Sequence, residues 1–188
     1  MKRRLLAGAV IALCLSIMAY GTLAYFTAED TVHNVITSGE VDIELLEWAD
    51  EGKTAPFPED GLSGVMPGTH VTKIVEVKNA GSSTAYIRVK VEKEIALPDG
   101  AEGEPDTSLM KLDFDETCWT LGEDGFYYYY KALEPDAVTE PLFASVSFDT
   151  GMGNIYQNSA ASVDVTAYAV QAANNGGGVM DAKGWPEE

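Results

Sequence analysis

The chain has 188 residues and carries 12 lysines and arginines against 30 aspartates and glutamates, a formal net charge of −18 at pH 7. This balance excludes a nucleic-acid-binding protein, because such proteins need lysine and arginine to neutralise phosphates. Hydrophobic residues make up 46% of the sequence, so we expect a folded domain with a packed core and not a disordered chain.

Residues 1–24 have the organisation of a secretory signal peptide. Three basic residues at positions 2–4 precede an apolar run over residues 5–19, and small residues stand at Thr22 and Ala24. Cleavage after Ala24 would start the mature chain at Tyr25. The alternative is an uncleaved membrane anchor, since the run approaches the ~20 residues that span a bilayer. We expect cleavage, export without stable membrane insertion, and a mature net charge of −21, because the lost segment has three basic residues and no acidic ones.

Residues 39–173 show hydrophobic residues alternating with polar ones, which is typical of strands with one buried face. The alternation predicts strands over residues 40–48, 69–78, 85–94, 117–121, 126–130, 142–148 and 162–171. Residues 122–125 have loop chemistry and predict a β-hairpin between the fourth and fifth of these strands. Short strands of this kind, separated by irregular loops, predict an all-β fold in which two antiparallel sheets form a β-sandwich.

The alternation also assigns side chains to faces of the strands. Ile87 and Val89 are predicted to point into the core and Arg88 to point outward. Lys73 shares a side with the valines of its strand, which suggests a position at a sheet edge. For residues 142–148 two assignments stay open, one with Val146 inward and one with Phe143 inward.

Three stretches break the pattern, at residues 49–68, 98–107 and 174–188. The second is rich in proline, glycine and acidic residues and predicts a solvated loop. The third begins with two asparagines and three glycines and predicts a flexible tail. Between the second and third predicted strands, residues 79–83 predict either a hairpin or a switch between sheets.

No arrangement of catalytic residues is found. The two histidines, His33 and His70, are far apart and lack metal-ligand spacing, and a catalytic zinc needs three protein ligands. A Gly-x-Ser-x-Gly nucleophile motif and a phosphate-binding glycine loop are both missing from the sequence. We therefore assign no catalytic residue, no metal ligand and no cofactor, and we expect a protein that is not an enzyme.

Calcium stays open as a ligand, because an exported acidic protein meets it outside the cell. The candidate carboxylates are those of Asp113, Asp115 and Glu116, and those of Asp99, Glu102, Glu104 and Asp106. Neither group has the EF-hand spacing, and a solvated acidic surface is the simpler interpretation.

Four consecutive tyrosines at 127–130 are expected to alternate between the two faces of a strand. Cys118, the one cysteine of the mature chain, is expected to be a small buried side chain or a site of intermolecular bonding.

Several short motifs in the N-terminal half carry a family resemblance. GTLAYFT at residues 21–27 is followed by ITSGEVDI at 36–43, a Met-Pro-Gly-Thr turn at 66–69 enters a strand, and VEVKNAGS at 75–82 ends one. These segments resemble the TasA/camelysin family of exported proteins of Gram-positive bacteria. The similarity covers about residues 1–95, with a less specific likeness over residues 163–169. The segment at 98–125 departs from the family pattern.

The resemblance implies a jelly-roll β-sandwich, processing by a SipW-type signal peptidase, and secretion to the cell surface or biofilm matrix. It also implies fibres in which an N-terminal segment, residues 25–38, passes into the neighbouring subunit, with Phe26, Val32, Asn34 and Ile36 in the donated strand. An extended segment with no core of its own is compatible with that role, because it could complete the sheet edge of another chain. The partners would then be further copies of the chain or another matrix protein.

Two other functions remain as alternatives. One is a monomeric surface module that binds calcium, a glycan or a host ligand through its acidic loops or tyrosines. The other is a metallopeptidase, an activity that some camelysin-like relatives carry, although two histidines without a ligand pattern argue against it here.

Overall fold

The computed structural model describes residues 34–38, 41–58, 62–63, 66–98, 101 and 103–186, and only the backbone at residues 34, 37, 38, 62 and 63. Apart from short 3-10 turns, the regular structure in these ranges consists of β-strands. They are β1 (Asn34–Ser38), β2 (Ile43–Trp48), β3 (Leu62–Ser63), β4 (His70–Asn79), β5 (Ala85–Ala96), β6 (Met110–Leu112), β7 (Trp119–Leu121), β8 (Tyr127–Tyr129), β9 (Phe143–Phe148) and β10 (Ala160–Gln171). None of the described residues belongs to a helix long and apolar enough to cross a membrane.

The strands form two sheets. One has the order β1-β10-β5-β8-β7, with β3 also paired to β10, and the other has the order β2-β4-β9-β6. Among the described strands, β1 and β10 form the one parallel pair and the remaining pairs are antiparallel. Buried side chains from both sheets make one hydrophobic cluster, the main core. The predicted all-β sandwich is confirmed.

The predicted inward faces form this main core. Val41, Ile43 and Leu45 are buried beneath one sheet, and Ile87 and Val89 are buried beneath the other. This agreement follows from the geometry of a strand, because successive side chains point to opposite faces of the sheet.

Strand β9 resolves the two assignments that the sequence left open. Leu142, Val146 and Phe148 are buried in the main core, as the first assignment predicts, and Phe143 is buried there as well. Phe143 packs edge-on against Phe114, with ring centroids 5.6 Å apart. Side chains of both alternating sets are therefore buried near the start of β9.

Lys73 lies in an interior strand, which corrects the expectation of a sheet edge. Strand β4 pairs with β2 on one side and β9 on the other, and the β9 register shifts between Thr72 and Val75. The Lys73 side chain is 4% exposed, its Nζ lies 2.8 Å from Glu47 Oε1, and it sits 4.1 Å from the centroid of the Phe57 ring. A carboxylate and a ring therefore replace water around this cation, which explains how lysine occupies an inward position.

Residues 80–84 carry the chain from one sheet to the other, and Asn79 anchors this crossing. Its side chain is fully buried, and its Nδ2 donates to the carbonyls of Ser83 and Leu133, each at 2.9 Å. Its Oδ1 accepts from the backbone N–H of Gly81 at 3.0 Å. Of the two predicted connections, the structure has the switch between sheets.

The predicted hairpin is present as β7 and β8, with Trp119 opposite Tyr129 and Leu121 opposite Tyr127. The tyrosine run alternates as expected. Tyr129 is buried in the main core, and Tyr127 stacks on Phe114 with ring centroids 4.2 Å apart. Tyr128 is buried on the opposite face, and Tyr130 is exposed. The predicted loop at 98–107 is exposed over residues 103–106.

Candidate assembly site

The resemblance singles out the N-terminal segment, and part of it is described as β1. Residues Asn34 to Ser38 pair in parallel with residues Thr166 to Val170 of β10. The same edge of β10 pairs with β3 at Ala160 and Ala161. Residues 34–38 therefore occupy the last position of the six-stranded sheet of their own chain, whereas the sequence suggested a segment without a core of its own.

The side chains of β1 reach two different clusters. Val35, opposite Ala167, packs against the main core, and Ile36, opposite Tyr168, packs on the other face of the sheet. The two side chains lie on opposite faces because successive residues of a strand alternate. Asn34 is placed opposite Thr166 by its backbone.

The remaining predicted site residues lie outside the described part of the chain. They are the cleavage residues Thr22, Ala24 and Tyr25 and the donated-strand residues Phe26 and Val32. These five assignments stay predictions. His33 also lies outside, and His70 is an exposed residue at the start of β4.

A second hydrophobic cluster covers the outer face of the six-stranded sheet, and we call it the outer-face cluster. Its buried members come from β10, from the β7–β8 hairpin and from the C-terminal residues, and other residues pack against it partly buried. The buried members are Phe126, Tyr128, Tyr168 and Val179, and the partly buried ones are Ile36, Tyr86 and Trp185. Strand β1 thus contributes to a cluster that the sequence did not reveal.

Arg88 stands at the centre of the outer-face cluster. The sequence predicts that it points away from the core, and it does, but the side chain is buried instead of solvated. Its guanidinium carbon lies 3.8 Å from the centroid of the Phe126 ring, 4.7 Å from that of Trp185 and 5.2 Å from that of Tyr168. Aromatic faces attract a cation, so the rings compensate part of the lost hydration.

At the polar edge of this cluster, Arg88 forms an ion pair with Asp124, and Tyr128 donates a hydrogen bond to the same carboxylate. Arg88 Nη1 lies 3.7 Å from Asp124 Oδ2, and the Tyr128 hydroxyl donates to the same Asp124 oxygen at 2.6 Å. Burial and this hydrogen bond to a carboxylate raise the pKa of Tyr128 above its ordinary value. The hydroxyl therefore stays protonated at neutral pH and acts as a structural donor.

Residues 172–186, which we call the C-terminal segment, fold against the outer face. Asn175 braces the segment, because its Nδ2 donates to the carbonyls of Gln171 and Lys183 and its Oδ1 accepts from the Lys183 N–H at 2.8 Å. Gly176 has φ +75°, and an added Cβ would lie 3.0 Å from the carbonyl oxygen of Asp181. Where the sequence predicts a flexible tail, the structure has a packed segment, because Val179 and Trp185 bury apolar surface.

Two of the acidic residues considered for calcium, Asp113 and Asp115, accept hydrogen bonds from the backbone. Asp113 Oδ1 accepts from the backbone N–H groups of Ala144 and Ser145, and Asp115 Oδ1 accepts from the N–H of Thr117. Hydrogen bonds from Thr117 lower the pKa of Asp115. Within the described ranges, no three acidic, histidine or cysteine side chains converge to hold a metal ion. Asp99 and Glu102 lie outside those ranges.

Cys118 is a half-buried free thiol that packs against the main core.

A cleft of about 430 Å³ lies at one end of the sandwich, between the turn at 66–67 and the loop at 152–158. Asn154, Gln157 and Asn158 line it with neutral amides, and Met66, Pro67 and Met152 line it with apolar side chains. None of these lining residues is charged.

The chain was compared with protein-family models, with curated proteins and with solved structures. No family model matches it, no curated protein matches it, and no solved structure matches it.

Proposed function

We propose that the chain is a secreted structural subunit of the TasA type, which polymerises into extracellular fibres of a biofilm matrix and has no catalytic activity. The observation that supports this best is the placement of β1. It is a strand of five residues in the last position of a sheet, and it is the one parallel partner among the described strands. The export signal and the N-terminal motifs support the same function.

Such a strand is suited to exchange between subunits. Parallel pairing is slightly weaker per residue than antiparallel pairing, and an edge strand has a neighbour on one side only. If the N-terminal segment of another copy takes the place of β1, backbone hydrogen bonds supply the affinity and alternate side chains supply the register. The contact joins two different surfaces of the subunit, so growth is open-ended and gives a filament.

The proposal includes a SipW-type signal peptidase as the processing partner, and either identical subunits or a second matrix protein as the assembly partner. The acidic charge argues against nucleic acid as a partner. The second candidate is a monomeric surface module, which the amide-lined cleft at residues 152–158 favours.

The first test is negative-stain electron microscopy with light scattering on the chain that starts at Tyr25, in neutral buffer with and without calcium. We expect filaments from this chain and none after deletion of residues 26–36. Filaments of unchanged number and length after the deletion would refute strand exchange. A monodisperse monomer under all conditions would favour the binding module.

A disulfide lock tests exchange without removing any residue. Asn34 and Thr166 are register partners, so Asn34→Cys with Thr166→Cys, made in a Cys118→Ser background, would tie β1 to its own β10. The matched control is Glu92→Cys with Asp164→Cys, a register pair between β5 and β10 that leaves β1 free. We expect the oxidised lock to stay monomeric, reduction to restore filaments, and the control to assemble in both states. Assembly of the oxidised lock would show that β1 is not the exchanged element.

A further inference from the structure

Strand β1 and the C-terminal segment share one cluster on the outer face of the sheet. Ile36 of β1 and Trp185 of the C-terminal segment both pack against the outer-face cluster, and Val179 of the segment is buried in it. Trp185 also meets the ring of Tyr128 edge-on, with centroids 5.9 Å apart. Loss of the segment would therefore expose part of the cluster against which Ile36 packs.

Arg88 contacts the C-terminal segment, and its hydrogen bonds there are long or missing. Its Nε is buried without a hydrogen-bond partner in the described structure. Its Nη2 donates to the Pro186 carbonyl at 3.4 Å, and its Nη1 donates to the Tyr128 hydroxyl at 3.5 Å, both long contacts. A buried guanidinium with weak hydrogen bonds opposes closure, whereas the ring contacts and the burial of Val179 favour it. Opposing contributions of this kind make a segment that can open and close.

We propose that the C-terminal segment is a clasp that sets how readily β1 leaves the sheet. With the clasp closed, Ile36 is held against the outer-face cluster and β1 stays paired with β10. With the clasp open, Ile36 loses part of its packing and β1 separates more often. The coupling belongs to the single chain, and its consequence for fibre growth rests on the proposed function.

Substitutions within the C-terminal segment can weaken its closed arrangement without changing β1. Trp185→Ala removes a ring from the outer-face cluster, and Gly176→Ala disturbs the turn that closes the segment, because the added Cβ would approach the Asp181 carbonyl to 3.0 Å. The matched control is Met180→Ala, since this side chain belongs to the same segment and is 55% exposed. Gly176→Ala leaves every member of the cluster in place, so it serves if Trp185→Ala does not fold.

The test is hydrogen exchange followed by mass spectrometry on the chain that starts at Tyr25, under conditions in which it is monomeric. We expect the amides of residues 34–38 to exchange about tenfold faster in Trp185→Ala and Gly176→Ala, and at the original rate in Met180→Ala. The amides of β4, in the other sheet, should exchange at the original rate in all three. Unchanged exchange in β1 would overturn the clasp, and so would equal acceleration of β1 and β4, which would indicate general destabilisation.

Fibre assays on the same variants separate the two proposals. Filaments that appear sooner with Trp185→Ala, together with faster exchange in β1, would support both. Faster exchange in β1 without filaments from any variant would refute the proposed function and retain the clasp. Filaments formed at equal rates by all variants, with unchanged exchange in β1, would refute the clasp and retain the proposed function.

Discussion

Asn79→Ala should weaken the crossing between the two sheets more than its size suggests. The side chain is 0% exposed and makes three hydrogen bonds to backbone groups of residues 81, 83 and 133. A hydrogen bond within a folded protein contributes about 1 kcal/mol net, so loss of all three would cost about 3 kcal/mol.

Two of the three partners keep another hydrogen bond, which limits the cost. The Leu133 carbonyl still accepts from the Ala85 N–H at 3.0 Å, and the Gly81 N–H still donates to the Asp42 carbonyl at 2.9 Å. We therefore expect the free energy of unfolding to fall by about 2–3 kcal/mol, somewhat less than the loss of three hydrogen bonds that leaves every partner unsatisfied. Asn79→Asp should cost at least as much at pH 7, because a carboxylate would then face the two carbonyl oxygens that the amide now satisfies.

The assay is urea denaturation of the chain that starts at Tyr25, followed by tryptophan fluorescence and far-UV circular dichroism. Asn154→Ala, at an exposed position, is the control and should change the midpoint little. A loss below about 1 kcal/mol for Asn79→Ala would contradict the reasoning, since it would mean that the crossing is held by the backbone alone.

Two further predictions concern charged groups. Lys73→Ala should destabilise the fold by about 2–3 kcal/mol, because Glu47 loses its buried partner, and Lys73→Met with Glu47→Leu should recover most of the loss in the same urea assay. The hydrogen bond from Tyr129 is the largest cause that lowers the pKa of Glu140 below its ordinary 4.5. A lowered folded-state pKa stabilises the fold above pH 4.5, and the effect is lost as the pH falls through the folded value. Glu140→Gln should therefore lower Tm at pH 7 and leave it unchanged at strongly acidic pH, and an equal loss at both would contradict this assignment.

The strands with one face in the main core could be read from the sequence. In β5 the alternation of Ile87 and Val89 with polar neighbours is set by the geometry of a strand, because one parity faces the other sheet and one faces away. The same holds for β2 and β10. The short crossing at residues 80–84 and the hairpin of β7 and β8 bring neighbouring faces together, so local pattern and global fold agree there.

The outer-face cluster could not be read in this way. Alternation assigns Arg88 to the face away from the core, but it does not say what covers that face. The covering residues lie far along the chain, and Pro186 follows Arg88 by 98 positions. Asparagines and glycines at 174–178 indicate a flexible tail when the local sequence is considered alone. The segment is nevertheless packed, because Val179 and Trp185 join the outer-face cluster. The apolar side chains of Val179, Met180 and Trp185 after the glycine run are the signal that the sequence offers.

The division of β1 between two clusters bears on the proposed strand exchange. Among its described side chains, Val35 alone packs against the main core, whereas β5 and β10 supply that core with side chains along their length. Departure of β1 would therefore leave most of the main core buried. The remaining cost falls on the outer-face cluster, to which Ile36 and the C-terminal segment both contribute. If the rest of the chain keeps its fold when β1 leaves, the barrier to the proposed exchange is set at that cluster, and it changes with the residues that cover it.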